Sequence, residues 1–129
     1  MKPFWPLLCL SILNLSACSN APSYRPVPLP NGKIVRVLAM VPMHFSSGPD
    51  ALMLRYQTDL KVSDTAALRK EVNEIWPSFQ TDVEKGNFRA AIVSANEIPS
   101  GIIIKEGHSY NFVFKKVEDG SWKCTNDEN

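Results

Sequence analysis

Cys18 ends the tetrapeptide Leu15-Ser16-Ala17-Cys18, in which a nucleophilic sulfur follows two small side chains and an apolar run. A nucleophilic sulfur in that setting is the sharpest chemistry the chain offers. Other reactive residue types are thinly spread. His44 and His108 are the two histidines, and Tyr110 follows the second closely. A histidine acting as general base needs an orienting partner and a nucleophile in reach, and no spacing here guarantees either. Each histidine reads first as a surface or structural residue; His44, His108 and Tyr110 are the polar groups that a pocket would recruit. Glu71 and Glu74 stand one turn apart on a helical stretch, where a solvated face accounts for both. No His-Glu-x-x-His, paired Cys-x-x-Cys or acidic calcium loop occurs. Nor is there a Gly-x-Ser-x-Gly elbow or a glycine-rich phosphate loop. The expectation is no catalytic residue, no metal and no cofactor.

The residues ahead of Cys18 say where the chain goes. Lys2 precedes the apolar run Leu7 to Leu13, and small residues follow, the order of a secretory signal. The run is shorter than the roughly 20 residues of a spanning helix, and Pro3 and Pro6 discourage helix at its start. With Leu15-Ser16-Ala17-Cys18 closing it, the segment resembles the signal of bacterial lipoproteins, whose lipobox is a leucine, two small residues and a cysteine. The resemblance implies a signal peptide over 1–17, cleavage between Ala17 and Cys18, a thioether-linked diacylglycerol on Cys18 and acylation of the new amino end. A buried methylene contributes about 0.8 kcal/mol, so several chains anchor stably where one does not. Ser19 in place of aspartate implies, by Gram-negative sorting rules, an outer-membrane location facing the periplasm.

The next stretch carries Pro22, Pro26, Pro28 and Pro30. Proline at that density favours an extended spacer of about 3 Å per residue, so 18–32 is expected to be a lipid-anchored tether. The remainder, 33–126, suits one domain with one core. Once Lys2 leaves with the signal, the remaining lysines and arginines equal the 13 acidic residues. That balance argues against nucleic acid and against an electrostatic hold on anionic lipid. Cys9 leaves with the signal and Cys18 is modified, so Cys124 has no cysteine partner within the chain. It reads as a small buried hydrophobe.

The elements follow from pattern. Ile34 to Val41 is apolar enough for a strand covered on both faces. Leu52, Leu54 and Tyr56 alternate as one face of a second strand. From 64 to 85, Leu68, Val72, Ile75, Phe79 and Val83 form a stripe at helical spacing, with Pro77 expected to kink it near its middle. Ser63 or Asp64 can cap its start and Gly86-Asn87 its end. Phe88 to Ile98 and Ser109 to Val117 read as strands, and Asp119-Gly120 as a hairpin turn placing Val117 opposite Trp122 and Lys115 opposite Cys124. The fold class is α+β, one main helix on a mainly antiparallel sheet, in the order ββαββ with a short sixth element. The closing hairpin, an alternating strand and Asp-Gly-Ser-Trp-Lys, resembles the last hairpin of small cystatin-like and NTF2-like domains, which implies a curved sheet wrapped on the helix. Ile102, Ile103 and Ile104 fall between strands. They either extend a hairpin or form an apolar contact loop.

Two functional readings stand. One is a membrane-anchored interaction or accessory module that docks on another envelope protein. The other is a small-ligand-binding or minor enzymatic domain with a pocket between helix and curved sheet. The anchor itself is directly testable: radiolabelled palmitate supplied to growing cells is expected to mark the wild-type chain and to leave Cys18→Ser unlabelled and unprocessed.

Overall fold

The computed structural model describes residues 23–101, 103 and 106–127. Ala17, Cys18, Ile102 and Ile104 lie outside the described residues. Six strands and one helix succeed one another: β1 Arg25–Pro28, β2 Ile34–Met43, β3 Ala51–Thr58, α1 Thr65–Lys85, β4 Ala90–Glu97, β5 Ser109–Lys116 and β6 Trp122–Cys124. The strands form one sheet in chain order, β1 to β6. The fold is α+β, but with one strand more than ββαββ(β), because Arg25–Pro28 of the expected tether pairs with Val37 to Ile34 of β2.

That extra strand exists because Leu29-Pro30-Asn31-Gly32-Lys33 is a hairpin. Leu29 donates its N–H to Lys33 at 2.8 Å, Gly32 donates to Leu29 at 2.9 Å, and the Asn31 side chain receives the Lys33 N–H at 2.9 Å. Gly32 takes φ +89, the left-handed conformation that closes a three-residue loop. The last hairpin repeats the device. Val117 donates to Ser121, Gly120 donates to Val117, Asp119 receives the Ser121 N–H, and Gly120 also has φ +89. A three-residue loop shifts the register by one from the expected pairing: Lys116 faces Trp122, and Phe114 faces Cys124.

The helix obeys its stripe. Leu68, Val72, Ile75, Phe79 and Val83 are its buried residues, and it continues through Pro77 as a single element. Asp64 caps the start by accepting the Ala67 N–H at 3.2 Å. At the far end the expected Gly86-Asn87 stop is present, with Gly86 as the cap and Asn87, φ 60, in the left-handed position. Asn87 and Phe88 donate to Glu84 and Val83, the paired bonds of a Schellman end. No helix among the described residues is long and apolar enough to cross a membrane.

Being 21 residues long, α1 carries the chain back along the sheet. β4 therefore runs parallel to β3, from Ala51 beside Ala90 to Thr58 beside Glu97. The other four strand pairs are antiparallel. α1 approaches β4 more closely than any other strand. Ala91, Val93 and Ala95 there are 0% exposed, and the two alanines leave room for the helix backbone. Larger residues flank that row, with Leu54 and Tyr56 on one side and Phe112 and Phe114 on the other. Trp76, beside the stripe, stacks on Phe114 with ring centroids 4.0 Å apart and meets Trp122 edge-on at 5.4 Å.

The helix covers one face only. In β2, Val35 and Val37 are buried while Ile34 is 58% and Val41 40% exposed, so this strand is covered on one side, not on both. Pro42 is accommodated inside β2 because, among the described residues, β1 pairs only as far as Val37 and no N–H is needed on that side beyond it. Cys124 is half-buried and free, against the expected full burial. At this sheet edge Asn126 stands in for a longer β6: it receives the Val113 N–H at 2.9 Å and donates to the Asn111 carbonyl at 3.1 Å.

Leu68 is 0% exposed where the first helical turns meet the sheet. Leu68→Ala is expected to cost about 2–5 kcal/mol, read as a lower urea midpoint at constant slope.

Candidate functional site

A cleft of about 640 Å³ opens where the first turns of α1 face the β1–β2 hairpin and the end of β3. It exists because α1 sits over β4, so the covered face of the sheet runs out from under the helix toward β1. Tyr56 and Thr58, successive helix-side positions of β3, reach its floor, and both are only 2% exposed. Glu71 comes to meet them from the edge of the helix stripe. Its Oε1 accepts hydrogen bonds from the Tyr56 hydroxyl at 2.8 Å and the Thr58 hydroxyl at 2.7 Å. Thr58 Oγ1 in turn accepts the Leu60 N–H at 3.0 Å, which fixes the chain as it leaves β3.

Two ion pairs frame the mouth. Lys33 Nζ lies 2.7 Å from Glu74 Oε2, and the Arg36 guanidinium 2.8 Å from Asp59 Oδ1. The hydrogen bond from Lys33 is the main reason that the Glu74 carboxyl is held below the usual carboxylate range. The Tyr56 phenol goes the other way: burial first, then its hydrogen bond to Glu71, push it well above the ordinary tyrosine value. Apolar walls come from Leu29, Val35, Leu60 and Ile75. The site thus offers an oriented carboxylate at the foot of a mainly apolar cleft.

None of the three residues named for a pocket lines this cleft. His44 follows β2 in the β2–β3 connection, with Nδ1 3.1 Å from Asp50 Oδ2 and both side chains mostly exposed. His108 precedes β5 at the other end of the sheet, where its carbonyl accepts the Glu97 N–H at 2.9 Å. It borders a second depression, of about 550 Å³, with Arg55, Asn96 and Glu97. Tyr110 packs on Phe112, ring centroids 5.0 Å apart. The sheet thus keeps His44 apart from the other two. Ile103 is 94% exposed in a loop whose base is closed by the Ser100–Glu106 bridge. Glu71, which sequence reasoning left on a solvated face, is the cleft residue it missed. The signal was present: Tyr56 and Thr58 put hydroxyls at the end of an inward-facing row, and Glu71 lies three residues after Leu68 and four before Ile75.

The opposite face of the sheet has its own pattern. Val41, Met53, Ile92 and Val113 pair in sequence across β2, β3, β4 and β5, a transverse apolar row on the side away from α1. Val41 is exposed and the other three are half-buried. Arg55 and Lys115 share this face, and among the described residues no Asp or Glu occupies a strand position on it. Among the described residues no cluster of His, Cys, Asp and Glu could hold a metal ion. Compared with family profiles, curated proteins and solved structures, the chain matches none.

Burial of Tyr56 sets an alkaline limit. The unfolded chain releases this proton near pH ~10 while the folded chain keeps it, so the folded state binds more protons and stability falls as pH rises above that point. Between pH 10 and 11.5, wild type is expected to lose up to about 1.4 kcal/mol per pH unit more than Tyr56→Phe, measured by urea unfolding at each pH.

Proposed function

We propose that this chain is an envelope lipoprotein, held in the outer membrane through a lipidated Cys18, and that its α+β body is an interaction module for another envelope protein. The observation that carries the reading is the uncovered face of the sheet. An apolar row crossing four strands, Val41–Met53–Ile92–Val113, has no covering layer among the described residues. Its charged neighbours Arg55 and Lys115 are both cationic. Apolar surface rimmed by charge of one sign marks a contact site and selects its partner. The complement is a protein surface with an apolar strip edged by carboxylates. The half-buried side chains of the row lie low against the sheet, which suits a flat protein surface more than insertion into lipid. The six residues between Cys18 and β1 keep the domain close to its anchor, within roughly 25 Å at full extension.

A photo-crosslinking amino acid placed at Ile92 in the full-length, acylated chain tests this in intact envelopes. The expected result is one protein adduct, mapped on the partner to an apolar segment edged by Asp or Glu and weakened by Lys115→Glu. The same probe at Asn73, on the exposed side of α1, is expected to give none. Equal adducts at the two positions, or none at Ile92, overturn the reading.

A further inference from the structure

We infer that the cleft beneath the first turns of α1 is a binding site for an ammonium group carried on an apolar body, with Glu71 as its anchor. Two nearly inaccessible hydroxyls, from Tyr56 and Thr58, both donate to Oε1 of Glu71. They hold the carboxylate in one orientation and satisfy one of its oxygens. Oε2 accepts no hydrogen bond from any described residue, and no buried side-chain oxygen among the described residues lacks a partner, so Oε2 is open to the cleft.

The surrounding charges narrow the class of ligand. Lys33 is paired with Glu74 and Arg36 with Asp59, so two of the cations at the mouth are already matched. Lys70 leans on Glu74 as well, lowering its pKa. The hydrogen bonds that hold Glu71 come from neutral hydroxyls, and no ion pair to it is formed among the described residues. Its open oxygen is a place for a counter-charge, and the ligand supplies it. A guanidinium would use both oxygens side by side, whereas Oε1 is already occupied; the single open oxygen suits the point charge of an ammonium. A divalent ion would need several oxygen ligands, and no such group exists among the described residues. About 640 Å³ falls within the size of small-molecule sites, and the walls provided by Leu29, Leu60 and Ile75 call for an apolar body behind the charged head. The same chemistry occurs in a membrane lipid with an amine headgroup and in a free amphiphilic amine.

The test uses the full-length acylated protein in phosphatidylcholine nanodiscs, titrated calorimetrically with n-octylamine and with n-octanol. Octylammonium is expected to bind about tenfold or more tightly than octanol, and Glu71→Gln to lose that preference. Tyr56→Phe is expected to weaken amine binding several-fold without abolishing it, while Glu84→Gln, on the far end of α1, leaves it unchanged. Equal binding of amine and alcohol by wild type overturns the proposal without recourse to any variant. Undiminished binding by a Glu71→Gln protein with a normal melting transition overturns it too. Repeating the titration in nanodiscs containing phosphatidylethanolamine separates the sources: loss of octylamine binding there identifies the headgroup as occupant, and unchanged binding identifies a free amine. Neither result depends on a protein partner at the other face of the sheet.

Discussion

The seating of α1 over β4 governs most of what this domain can do. A helix that returns the chain from the end of β3 to the start of β4 forces those two strands to run parallel. It also places its stripe over the middle of the sheet. Ala91 and Ala95 permit the approach, and Tyr56, Phe112 and Phe114 fill the space on either side. Close packing of this kind tolerates little slippage. With the helix fixed at mid-sheet, the strands toward β1 extend beyond its cover and a cleft follows. Glu71 owes its position to the same seating, since the phase that buries Leu68 and Ile75 turns Glu71 toward the β3 hydroxyls.

Polar groups finish what apolar packing leaves open. Asn126 supplies an amide where β6 ends, Asp64 and Asn87 close the helix, and Tyr56 and Thr58 settle one oxygen of Glu71. The prolines serve the same end by subtraction. Pro26 and Pro28 lie in the outermost strand and Pro42 where β2 loses its neighbour, so none removes a bond the sheet could have made. Edges blunted in this way resist pairing with another chain. Each device is local, and together they close or blunt the ends of a small sheet.

Much of this was readable in the residues. The helix stripe, its caps and the alternation in β3, β4 and β5 announce themselves by period alone. β1 did not, because proline density argued for a spacer while Asn31-Gly32, a strong hairpin signal, stood in the same stretch. The tight turn prevailed, since Leu29 and the valines of β2 gain a core by folding back. The shifted register of the last hairpin has a related cause: Asp-Gly fits a two-residue loop and a three-residue loop alike, and only the hydrogen bonds decide. Parallel pairing of β3 and β4 is a matter of chain return, which no local pattern encodes. The cleft was hidden for a comparable reason. Glu71 looks solvated in a list of charges, and only the docked sheet reveals the two hydroxyls waiting for it.

The outermost strand has a mechanical consequence. β1 joins the sheet along one side only, through pairs running from Arg25–Val37 to Pro28–Ile34. Tension applied to the chain ahead of Arg25 would load these pairs one after another, as a zipper, instead of shearing them together. The strand is only four residues long, so the force needed is small. Peeling the strand frees about 13 Å of chain and strips Pro26 from the wall of the cleft. A pull on the chain ahead of Arg25 and the shape of the Glu71 cavity are thus mechanically geared to one another.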